Sequence, residues 1–85
     1  MRLDKFLKVS RIIKRRTLAK EVCDSGRVSV NGRPAKPGVE IKTGDKLELD
    51  FGTKRVLVEV LGTPTTVRAD QAKDLYQVLE ETRVV

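Results

Sequence analysis

The chain has 85 residues, 39% of them hydrophobic and 35% charged, with a net charge of +6. That length and balance predict one folded domain over 1–85 with a small core; they argue against a disordered chain and, with no apolar run near ~18 residues, a membrane-spanning helix. Histidine is absent and Cys23 is the single cysteine, so there is no internal disulfide, no ligand set for zinc and nothing that calls for a cofactor.

Leu3, Phe6 and Leu7 recur at i, i+3 and i+4, which predicts a helix from Arg2 to Val9 or Ser10 with Lys5 and Lys8 on its other side. Asp4 falls in the first turn, where a negative charge suits the helix dipole. Residues 11–14 form a joint. A second helix is expected over about 15–25, burying Leu18, Ala19 and Val22 and turning Arg16 and Lys20 to solvent as a basic stripe. Gly26 is placed for its left-handed cap.

Val28-Ser29-Val30 alternates as a half-buried strand. Asn31-Gly32 is a strong hairpin signal, because both central residues of a type I′ turn need φ > 0. Pro34 cannot donate to a ladder, so the returning segment is an edge. Turns follow at Pro37-Gly38, Thr43-Gly44 and Gly52-Thr53. Between them Val39-Glu40-Ile41 and 47–51 alternate, and 55–61 is read as the last strand, with Val56, Val58 and Val60 on one face. Ala72, Leu75, Tyr76 and Leu79 share one helical face, which predicts an amphipathic C-terminal helix over about 68–81 and a fraying tail from Arg83.

Charge is segregated along this plan. Residues 1–36 carry eleven Lys/Arg against three acids, a net +8, whereas 37–85 carry seven against nine, a net −2. Positive charge gathered on two helices, with no catalytic constellation, points to a polyanion binder. The candidates for RNA contact are Arg2, Asp4, Lys5, Lys8, Arg11, Lys14, Arg15, Arg16, Lys20, Arg27 and Arg33. Arg16 leads, because its planar fork grips phosphate through two bonds. Asp4 would repel phosphate, so it is read as an orienter of a nearby arginine such as Arg16, or as a dipole partner. Aromatics are scarce (Phe6, Phe51, Tyr76), which argues against a base-stacking platform. Phe6 is expected in the core and Cys23 as a helix filler. No apolar run follows the basic start, so no signal peptide is expected, and a lone cysteine fits a reducing cytoplasm.

Arg2-Leu3-Asp4-Lys5-Phe6-Leu7, Lys14-Arg15-Arg16-Thr17-Leu18-Ala19-Lys20-Glu21-Val22 and Gly26-Arg27-Val28-Ser29-Val30-Asn31-Gly32 closely resemble the S4 RNA-binding domain. The resemblance implies an α+β S4 (alpha-L) fold, two helices against a small, mostly antiparallel sheet, over a core of about 1–61. The length, the Gly44-Asp45 turn, Phe51-Gly52 and the expected C-terminal helix resemble the RqcP family of free-standing S4 proteins, related to the small ribosome-binding heat-shock protein. That implies a non-catalytic factor of bacterial ribosome-associated quality control, and a cytoplasmic monomer is expected. Its partners would be large-subunit rRNA, peptidyl-tRNA and an RqcH-type tailing factor, and its role would be to support C-terminal alanine tailing of stalled chains. Two alternatives stay open: a general rRNA-binding or large-subunit recycling factor, and an adaptor whose C-terminal part binds a protein. One departure stands out. Many S4 domains place Ser or Thr before the arginine that opens the second helix, and this chain has Arg15 there, which removes a side-chain cap worth about 0.5–2 kcal/mol.

Overall fold

The computed structural model describes residues 1–64 and 68–83. Helix α1 spans Leu3–Val9 and buries Leu3, Phe6 and Leu7 completely. Its N-cap, Arg2, supplies no side-chain capping bond. The first free amides are met instead by a distant loop: Leu3 N–H donates to the Val39 carbonyl at 2.9 Å and Asp4 N–H to that of Pro37 at 3.1 Å. Ile41 N–H donates to the Met1 carbonyl at 2.9 Å, and one bridge pairs Arg2 with Glu40. The Val39-Glu40-Ile41 alternation therefore closes the end of α1 rather than forming a regular strand.

The joint turns on Ile13, which is buried and donates its N–H to the Leu7 carbonyl at 3.0 Å. Helix α2 spans Arg16–Asp24, with Arg15 as an N-cap whose side chain makes no capping bond. Its buried face differs from the sequence reading. Ala19 and Cys23 are buried and Val22 is half-buried, but Leu18 is 48% exposed. The helix turns the i, i+4 pair Ala19 and Cys23 into the core, so Leu18, about 100° round the wheel from Ala19, turns out to solvent. Gly26 takes φ +79° after the helix, as its placement implied.

The sheet is wholly antiparallel, in the order β2-β1-β3-β4-β5. Its strands are β1 (Val28–Val30), β2 (Arg33–Pro34), β3 (Lys46–Asp50), β4 (Lys54–Val60) and β5 (Tyr76–Arg83). Asn31 and Gly32 form the β1–β2 turn at φ +52° and +84°, and Pro34 lies on the outer strand β2. Val28, Leu47, Leu49, Val58 and Val60 form one buried face beneath the helices.

The expected C-terminal helix is not present. Ala69–Leu75 is a 3-10 turn that buries Ala72 and Leu75, and Tyr76–Arg83 is strand β5. The helical spacing was real for Ala72 and Leu75, but Leu79 is 42% exposed. Pairing with β4, which runs from Val60↔Tyr76 to Lys54↔Arg83 through seven partner pairs, outweighs local periodicity. A register shift at Leu57/Val58 marks a bulge in this pair. Strand β4 is thus internal, not the last strand. Arg83 is strand-paired rather than frayed, and the remaining tail residues, Val84 and Val85, lie outside the described residues. Among the described residues no helix is long and apolar enough to cross a membrane.

Candidate nucleic-acid interface

Asp4 is the hub of the basic surface. It sits in the first turn of α1 and is only 3% exposed. Oδ1 accepts from the Lys5 amide at 2.8 Å and from Arg2 Nε at 3.2 Å. Oδ2 accepts from Arg16 Nε at 3.3 Å and from Arg2 Nη2 at 3.4 Å. The two arginine side chains remain about half exposed. Burial alone would raise the Asp4 carboxyl; the Arg16 hydrogen bond, the Lys5 amide and the charges of Arg16 and Arg2 outweigh it and hold the carboxyl below its ordinary value.

This geometry removes the objection to an acid in a cationic patch. The carboxylate lies beneath the surface and the guanidinium groups lie above it. Arg16 spends only Nε on Asp4, so both terminal nitrogens stay free of protein partners among the described residues. A planar fork anchored at Nε loses less freedom when it grips a phosphate. Arg2, Asp4, Arg16, Thr17 and Lys20 line one shallow, open depression.

The structure brings together only part of the candidate set. Arg2, Asp4, Arg16 and Lys20 share the depression. Lys5 is half-buried beside it on α1, and Lys8 is exposed in the last turn of that helix. Arg11, Lys14 and Arg15 are exposed on the joint. Arg27 and Arg33 are exposed on the β1–β2 side: the Arg27 backbone bonds Val22 and Asp50, and Arg33 lies opposite Val30. Neither lines the depression.

Two neighbours of the site have no signal in the sequence. Thr17 lies on the rim, and Gly38 underlies Arg2, where a Cβ would stand 3.6 Å from Nη2. Both follow from docking of the 37–41 loop and α2 against α1, which no local pattern announces. Cys23 is buried nearby, and burial, with the charges of Asp4 and Asp24, pushes its thiol up to about 11. It stays protonated and serves packing. Among the described residues no cluster of His, Cys, Asp and Glu could hold a metal ion.

Comparisons with known proteins extend these observations. The S4 domain family model matches residues 1–47. The RQC P-site tRNA stabilizing factor of Halalkalibacterium halodurans is 59% identical over 81 residues, covering 95% of this chain and 92% of the relative. The factor of the same name from Streptococcus pneumoniae is 52% identical over 84 residues, covering 99% of this chain and 96% of the relative. Among solved structures, trimeric heat shock protein 15 of Vibrio cholerae superimposes with a TM-score of 0.84 at 32% identity, covering 92% of this chain and 80% of that one.

Proposed function

The chain belongs to the S4 domain family and, within it, to the family of the RQC P-site tRNA stabilizing factors, and from that premise we propose that it is a non-catalytic RNA-binding factor of bacterial ribosome-associated quality control. It binds the large ribosomal subunit, holds peptidyl-tRNA in place and supports C-terminal alanine tailing of stalled chains alongside an RqcH-type factor. The observation that carries this reading is the Asp4 hub, which aims two arginines from one exposed surface in the half of the chain that holds a net +8.

In the proposed mechanism Arg2 and Arg16 each grip backbone phosphate, with Lys20 adding charge beside them. Contacts of this kind set register and orientation on a folded RNA and carry little base information. Recognition is therefore of shape, which suits a factor that stabilises a tRNA already held to the large subunit through its nascent chain. The cytoplasm is the compartment this role requires.

Co-sedimentation tests the reading. The purified protein should enrich on large subunits carrying peptidyl-tRNA, and Arg16→Ala should release it. Equal binding to vacant large subunits would favour a general rRNA-binding or recycling factor. Binding that survives Arg16→Ala but is lost in Leu79→Lys would favour a protein adaptor.

A further inference from the structure

Among the described residues, two that are not glycine hold left-handed backbone: Arg11 at φ +61° and Asn31 at φ +52°. This region disfavours a side chain with a Cβ, and asparagine tolerates it best. The Asn31 side chain accounts for its own conformation. Its Nδ2 donates to Asp45 Oδ1 at 3.1 Å, and its Oδ1 accepts the Lys46 N–H at 2.9 Å. Arg11 has no such return. It is exposed, and among the described residues it makes no ion pair.

The chain supplies its own comparison. Helix α1 ends on Ser10, and the next residue, Arg11, donates its N–H to the Lys8 carbonyl at 3.0 Å. Helix α2 ends on Ser25, and the next residue, Gly26, at φ +79°, donates its N–H to the Cys23 carbonyl at 3.0 Å. The same backbone demand arises twice. It is met once by glycine, the residue that suits it, and once by arginine. The pull of the α1 C-terminus on a cation is too small to offset the left-handed conformation, and Lys8 already serves it.

Among the described residues no hydrogen bond or ion pair of the side chain repays an arginine at position 11, which points to a return outside the fold. We propose that Arg11 grips an RNA phosphate as a second backbone contact, separate from the Asp4 hub. This rests on the RNA-binding reading above. Arg11 follows the C-terminal end of α1 and Asp4 stands in its first turn, so the two lie at opposite ends of the helix. The exposed joint thereby sets a second point on the RNA backbone, and two fixed points orient a rigid duplex where one cannot.

The test compares wild type, Arg11→Gly, Arg11→Lys and Arg16→Ala in binding to purified large ribosomal subunits over a salt series, with thermal melts of each. Arg11→Gly should melt about 2–6 °C higher than wild type, since glycine relieves the left-handed strain. It should bind about five- to tenfold more weakly, with a salt slope shallower by about one. Arg11→Lys should melt like wild type and bind between the two, because it keeps charge and strain but loses the fork. Unchanged affinity and slope in Arg11→Gly, while Arg16→Ala weakens binding, would overturn this inference alone. A lower melting point in Arg11→Gly would also overturn it, by showing that the side chain serves the fold. Failure of the wild type to bind the subunits would overturn the functional reading and this inference together.

Discussion

Asp4 and Arg16 stand twelve residues apart in the chain, yet Arg16 Nε lies 3.3 Å from Asp4 Oδ2, with the carboxylate buried and the guanidinium half in water. Two short helices are thereby joined beside the depression that Arg2, Arg16 and Lys20 line. The contact sets the acid beneath the two guanidinium groups rather than in front of them.

Removing that acid separates the two effects. Asp4→Asn raises the net charge by one, and simple attraction then predicts tighter RNA binding. Orientation predicts the reverse: Arg2 and Arg16 lose their shared acceptor and bind phosphate with more freedom to lose. We expect weaker binding, by about three- to tenfold, together with a stability loss of about 1–3 kcal/mol. A filter-binding titration paired with a thermal melt checks both, and tighter binding would refute the orienting role.

The same pair predicts an acid limb in stability. The folded carboxyl of Asp4 lies below its ordinary value of 3.8, so the folded state favours its ionised form. The stability it contributes is complete above the unfolded-state value and is lost as pH falls through the still lower folded value. The melting temperature of wild type, relative to Asp4→Asn, should therefore be flat above about pH 5 and converge on the variant below about pH 4. A difference that grows on acidification would contradict this.

Asn31 ties the β1–β2 turn to the neighbouring loop. Its backbone N–H donates to the Lys46 carbonyl at 2.7 Å, while its side chain bonds the Lys46 amide and Asp45, which in turn accepts the Lys42 amide at 3.0 Å. Asn31→Ala loses the bonds and adds left-handed strain, costing about 2–3 kcal/mol. Asn31→Gly loses only the bonds and should cost less. Urea melts of the two variants should separate in that order.

The C-terminal segment offers a discriminating pair of leucines. A helix over 68–81 would bury Leu75 and Leu79 alike. The structure buries Leu75, at 6% exposed, and leaves Leu79 at 42%. Leu75→Ala should cost about 2–4 kcal/mol, enough to approach the whole stability of so small a fold, while Leu79→Ala should cost under about 1 kcal/mol. Equal losses would favour the helix.

The features legible from the sequence are those set within a few residues. The buried face Leu3, Phe6 and Leu7 follows from helical period, the Asn31-Gly32 turn and the Gly26 cap from the φ values such residues allow, and the polyanion-binding character from eleven cations in the first 36 residues. What only the tertiary structure decided depends on groups far along the chain. Leu18 turns outward because α2 docks with Ala19 and Cys23 in the core, and residues 76–83 extend because β4 presents an open row of backbone groups. Asp4 becomes an orienter because Arg2 and Arg16 are both carried to it. Periodicity and dihedral preference act locally and can be read in order; burial, strand pairing and ion-pair geometry are relations between distant residues, and they exist only once the chain has closed on itself.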